Sequence, residues 1–125
     1  MILDTNGLSA LLQANRAFLA RFAQVYQWSI PVPVLGEYRF GLLRSRLRSR
    51  LETAVDELER TEEILVATSR TARVYAQIRE ELRIKGKPIP VNDQWIAALA
   101  REHGLPVATN DPHFGEVDGL DVRGW

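Results

Sequence analysis

The sequence contains no cysteine and a single methionine in 125 residues. Without cysteine there are no disulfides, no thiolate metal sites and no thiol nucleophile, which fits a reducing compartment. No apolar run approaches the roughly 20 residues of a membrane-spanning helix, and no signal-peptide pattern opens the chain. The expectation is a cytoplasmic protein with no membrane partner. An excess of charge of either sign is also missing, since 16 basic residues balance 16 acidic ones. Composition therefore does not announce a nucleic-acid binder, and only the local distribution of charge bears on that question. Histidine is scarce. His103 and His113 show no partner at ligand spacing and are read as structural.

What is present is an ordinary globular composition, 46% apolar, in a length that suits one domain over residues 1–125 with one core. The organising stretch is Met1-Ile2-Leu3-Asp4-Thr5-Asn6, where a short apolar strand delivers a carboxylate to its carboxyl end. Pro106-Val107-Ala108-Thr109-Asn110-Asp111 repeats the pattern near the other end of the chain. In open α/β sheets the carboxyl ends of the strands form the ligand crevice.

Between these stretches the pattern alternates. Leu8, Leu11 and Leu12 fall at helical spacing, and Asn15 caps a second helix bearing Phe18, Phe22 and Val25. Trp28-Ser29-Ile30 reads as a strand that stops at Pro31 and Pro33. Pro33 suits the first turn of a helix carrying Leu35, Tyr38 and Leu42 on one face. A helix over 46–60 buries Leu47, Leu51, Ala54, Val55 and Leu58. Ile64-Leu65-Val66 is a third strand. Ser69 caps a long helix with Tyr75, Ile78 and Leu82 inward, ended by Gly86 and Pro88. A further helix begins near Asn92, buries Ile96, Leu99 and Ala100, and stops at Gly104. A strand at 106–108 and a last one around 120–122 complete the chain. Apolar strands separated by helices predict an α/β fold with a mainly parallel sheet covered on both faces.

Four carboxylates stand at element boundaries. Asp4 and Asp111 follow strands; Glu37 and Asp93 lie in first turns of helices. In a parallel sheet those positions share one edge, so all four can converge. Crowded anions repel unless a cation joins them. Oxygen ligands without clustered His or Cys favour Mg2+ or Mn2+ over zinc. Such a site activates water for in-line displacement at phosphorus, that is, metal-assisted phosphodiester hydrolysis. Each residue also has a simpler role: Asp4 as a helix cap, Asp93 as a helix-dipole partner, Asp111 as a turn residue, Glu37 as an exposed glutamate. The joint spacing is what lifts them. The run Arg44 to Arg50 is read as a solvated helix start with Arg48 paired to Glu52, although such a run also suits RNA phosphate. Lys85 and Lys87 are expected as helix-end cations. Tyr38, Phe40 and Trp95 are candidate base-stacking residues, with core packing favoured for Trp95.

MILDTN (1–6), VLGEYRFGLL (34–43), IPVNDQWIAALA (89–100) and VATNDPHF (107–114) together resemble the PIN-domain ribonucleases, and most closely the VapC toxins of toxin–antitoxin pairs. The ending GLDVRGW shares that likeness. The resemblance implies a three-layer α/β/α sandwich and a Mg2+- or Mn2+-dependent endoribonuclease. By position it makes Asp4, Glu37, Asp93 and Asp111 the acidic quartet, with Asn6 and Thr109 as supporting polar residues. It also implies an RNA substrate, a homodimer, and a cognate antitoxin laying a peptide along the acidic groove in a higher assembly. Family members commonly carry a branched apolar residue where this chain has Gly7, which is expected to loosen the entry to the first helix. The alternatives are a non-catalytic PIN-like RNA-binding module and a PIN nuclease of RNA processing. A phosphatase with an Asp nucleophile is disfavoured, because Asn6 stands where its second Asp would be.

Overall fold

The computed structural model describes residues 1–125. Five short strands form one sheet: β1 (Ile2–Leu3), β2 (Ser29–Pro31), β3 (Glu63–Leu65), β4 (Val107–Ala108) and β5 (Val122–Arg123). Their order is β3-β2-β1-β4-β5, and every pairing is parallel. Ile2, Leu3, Ile30, Val107 and Ala108 are buried, because a parallel sheet is covered on both faces. The helices are α1 (Thr5–Leu12), α2 (Arg16–Arg21), α3 (Val32–Leu42), α4 (Arg48–Thr61), α5 (Ser69–Lys85) and α6 (Val91–His103). Right-handed crossovers send the β1–β2 and β2–β3 connections to one face and the β3–β4 connection to the other. The packing follows this: α1 lies against α2, α3 and α4, while α5 lies against α6. The expected α/β/α sandwich is thus present, with a sheet wholly rather than mainly parallel.

Local chemistry explains most boundaries. Asn15 accepts the Phe18 amide at 3.0 Å and starts α2, as its residue type predicts. Gly86 and Gly104, at φ of 69° and 63°, end α5 and α6 in the left-handed conformation. Several expectations shift. Thr68, not Ser69, precedes α5, in a reciprocal box with Thr71. Pro31 is the last residue of β2 rather than its terminator, and its extended ψ of 140° leads directly into α3. The helix expected from 46 begins at Arg48. Leu47 is exposed rather than in the buried stripe, because it lies in the turn before the helix. Val66 falls outside β3 and is exposed. The last strand sits at Val122–Arg123 and both its residues are exposed, since β5 is the sheet edge.

Gly7 corrects a larger expectation. It does not loosen the start of α1. A Cβ there would meet the Ala108 carbonyl oxygen at 2.8 Å and Leu3 Cδ2 at 3.1 Å. Glycine lets α1 approach β4 closely, which a branched residue cannot do at this spacing. An aromatic cluster joins α2 to the start of β2 and to the last residue of the chain. Phe18 lies 5.5 Å from Trp28 and 5.0 Å from Trp125, centroid to centroid.

Candidate metal centre

β1 leads to β2 on one side and borders β4 on the other, so the order of strand addition reverses between β1 and β4. A crevice opens beyond the carboxyl ends of those two strands. Asp4 leaves β1 into this crevice and is 3% exposed. It caps α1, accepting the Gly7 amide on Oδ1 at 2.6 Å. Its other oxygen accepts the Thr109 hydroxyl from the end of β4. The Thr109 oxygen in turn accepts the Asp111 amide at 2.9 Å. The helix-cap reading of Asp4 is therefore correct geometrically, and the cap is also what orients the carboxylate.

Asp111 begins a short 3-10 turn over Pro112–Glu116 and accepts the His113 amide at 2.9 Å. Asp93 lies in the first turn of α6, where no side chain caps the helix and an acidic residue complements the dipole. Gln94 fixes that turn by donating to the Ile89 carbonyl at 2.8 Å. Glu37, in the second turn of α3, accepts the Thr5 hydroxyl at 2.8 Å. Glu37, Asp93, Asp111 and His113 line one open cleft together with Pro90, Val91 and Asn92.

The electrostatics record the convergence. Burial pushes the Asp4 carboxyl up to about 6. Hydrogen bonds from Thr109 and Gly7 oppose that rise, while the charges of Asp111 and Glu37 add to it. Burial likewise raises Asp93 to about 6, reinforced by Asp111, Glu37 and Asp4 and countered by His113. Four carboxylates from four separate parts of the chain thus act on one another at one sheet edge.

Two residues at the site escaped the sequence reading. His113 is not isolated: its Nδ1 is 2.8 Å from Asp111 Oδ1 and 3.6 Å from Asp93 Oδ2. The spacing Asp111-Pro112-His113 held a signal, because a turn brings residues two apart together. Thr5 reaches Glu37 across 32 residues, and no local pattern encodes that. Asn6 is exposed and makes no side-chain hydrogen bond; it lines a groove between α1, α3 and α4 with Thr5, Ser9 and Tyr38. Of the aromatic candidates, Tyr38 is buried, Phe40 is exposed beneath Arg44, and Trp95 stacks on Tyr75 at 4.1 Å. Arg48 pairs with Glu52 at 2.8 Å, whereas Arg44, Arg46 and Arg50 are exposed. Lys85 bridges Asp118 and the Glu116 carbonyl.

Residues 1–120 match the family model for the PIN domain. The chain belongs to the PIN-domain family, in its VapC ribonuclease branch. It is 31% identical to Ribonuclease VapC4 of Mycobacterium tuberculosis, over 89% of this chain and 86% of that one. DNA-bound VapBC from Salmonella typhimurium superimposes with a TM-score of 0.86 at 29% identity, covering 99% and 96% of the two chains. VapBC-5 of M. tuberculosis, described as a member of the VapBC family of toxin–antitoxin systems, gives 0.72 at 30% identity over 98% and 94%. No helix of this PIN-domain chain is long and apolar enough to cross a membrane.

Proposed function

We propose that this chain, taken as one PIN domain, is a Mg2+- or Mn2+-dependent endoribonuclease and the toxin of a toxin–antitoxin pair. The observation that carries the reading is the meeting of Asp4, Glu37, Asp93 and Asp111 at the β1–β4 switch point, each felt electrostatically by at least one of the others. Mutual repulsion among these carboxylates is relieved by a divalent cation, and a carboxylate-rich donor set fits a hard one. Asp4, Asp93, Asp111 and Glu37 would hold it. When bound, the ion supplies Lewis-acid activation of water and charge neutralisation at phosphorus.

The protein groups divide the remaining work. Thr109 and Gly7 hold both oxygens of Asp4 in one orientation, so that the carboxylate is fixed before substrate arrives. Thr5 steadies Glu37, the most solvent-open member of the quartet, which is placed to accept a proton from attacking water. The open cleft admits a phosphodiester backbone. Arg44 and Arg46, on the segment joining α3 to α4, and Arg50, in the first turn of α4, are exposed and suited to flanking phosphates. A cognate antitoxin, supported by the toxin–antitoxin complexes among the relatives, and a homodimeric state complete the reading.

The test is cleavage of total RNA by purified protein with Mg2+, Mn2+ or chelator. Cleavage is expected only with metal, and Asp4→Asn and Asp93→Asn are expected to abolish it while leaving the fold intact. Metal-independent cutting, or full activity in both variants, defeats the reading. RNA retention without cutting would favour a non-catalytic binding module instead.

A further inference from the structure

His113 is a half-exposed turn residue whose ring nevertheless lies among the carboxylates. Its position is built twice over. The Asp111 oxygen that accepts the His113 amide at 2.9 Å is the same atom that lies 2.8 Å from Nδ1. The next residue, Phe114, is fully buried and anchors the turn in the core. The side chain is therefore held over the cleft rather than trailing in solvent.

The separations have a further meaning. Adjacent ligands on an octahedral ion, each roughly 2.1 Å from it, stand about 3 Å apart. Nδ1 lies 2.8 Å from Asp111 Oδ1 and 3.6 Å from Asp93 Oδ2. One ligand atom from each of the three side chains lies within 4.8 Å of the others. The three ligand atoms are therefore close enough together to share one ion, and one of them is nitrogen.

We propose that His113 contributes Nδ1 as a ligand to the cation held by Asp93 and Asp111, making the site mixed nitrogen and oxygen. The inference rests on the metal-dependent reading above and adds ion preference to it. Mg2+ demands oxygen ligands and parts with water reluctantly. Imidazole shifts a site toward first-row transition ions. The centre thus binds Mn2+ in preference to Mg2+, and His113 is the residue that sets this preference.

The sequence makes the test clean, because there are only two histidines. Tag-free full-length protein is loaded with Mn2+ and examined by pulsed electron paramagnetic resonance for imidazole 14N coupling. The coupling is expected in the wild type and in His103→Ala, and lost in His113→Ala with Mn2+ still bound. Calorimetry is expected to show Mn2+ affinity falling on the order of tenfold in His113→Ala, and Mg2+ affinity changing by much less. Circular dichroism checks that the variant is folded. Bound Mn2+ with no nitrogen coupling in the wild type, or coupling that survives in His113→Ala, overturns the histidine ligand and leaves the carboxylate centre standing. Absence of any Mn2+ or Mg2+ binding by the wild type overturns both.

Discussion

Thr109 donates its hydroxyl to Asp4 across 105 residues of sequence and one strand pairing. Its oxygen also receives the Asp111 amide, so a single hydroxyl ties two members of the quartet together. Thr109→Val keeps the shape and removes both bonds. It is expected to cost about 1–3 kcal/mol, because a buried carboxylate oxygen and an amide lose partners. RNA cleavage is expected to fall roughly 10- to 100-fold through misorientation of Asp4. Thr109→Ser should recover most of both losses. Urea unfolding and initial rates measure the two effects, and a Val variant with wild-type values in each would refute the role.

Asp4 and Asp93 are raised from about 3.8 to about 6 by burial and by their acidic neighbours. Between those values the folded state binds protons that the unfolded state does not. Stability of the metal-free protein therefore declines as pH rises from about 4 through about 6. Asp4 alone accounts for roughly 3 kcal/mol at most. Saturating Mg2+ should reverse the slope, because the ion binds the ionised carboxylates. Asp4→Asn keeps the helix cap and should reduce the metal-free slope, leaving the part that Asp93 contributes. Thermal unfolding from pH 4.5 to 8, with chelator and with Mg2+, decides; a metal-free profile that rises with pH would sink the prediction.

Gly7→Ala places a methyl against the Ala108 carbonyl oxygen. Helix propensity alone favours alanine by about 1 kcal/mol. Overpacking against rigid backbone costs about 1–3 kcal/mol, and it also disturbs the Gly7 amide that holds Asp4. The net expectation is a destabilised protein with reduced cleavage. A variant more stable than the wild type in urea would show that α1 moves away without penalty.

Asn110 stands between Thr109 and Asp111 and clasps Trp125 twice. It donates to the Trp125 carbonyl at 3.2 Å and accepts its amide at 3.0 Å. Asn110→Ala should release residues 120–125 and raise their hydrogen exchange, with α6 unaffected. Exchange mass spectrometry reads this directly, and unchanged protection at 122–125 would rule the clasp out as a restraint.

Much of the fold was legible because its signals are local. Asn15, Gly86 and Gly104 mark helix ends by residue chemistry, and Ile2, Leu3 and Ile30 announce buried strands by their apolar runs. The meeting of Asp4, Asp93 and Asp111 was also legible, since strand ends and helix starts share an edge in any parallel sheet; Glu37 joins them from the second turn of α3 and not from the first turn its sequence position suggested. What stayed hidden depends on packing at a distance. Gly7 looked like a weak helix entry because the carbonyl it accommodates lies about a hundred residues away in sequence, on β4. Thr5 gave no sign of its bond to Glu37. His113 looked solitary because spacing along a sequence does not show which way a turn aims a ring.

The two outermost strands are too brief to recruit a neighbour. β3 has three residues and opens with an exposed glutamate; β5 has two, both solvated, one of them Arg123 paired with Asp121. Short, charged borders resist the addition of foreign backbone. Whatever macromolecule this chain embraces is therefore expected to be held by its cleft, loops and helices and not as an added strand of its sheet.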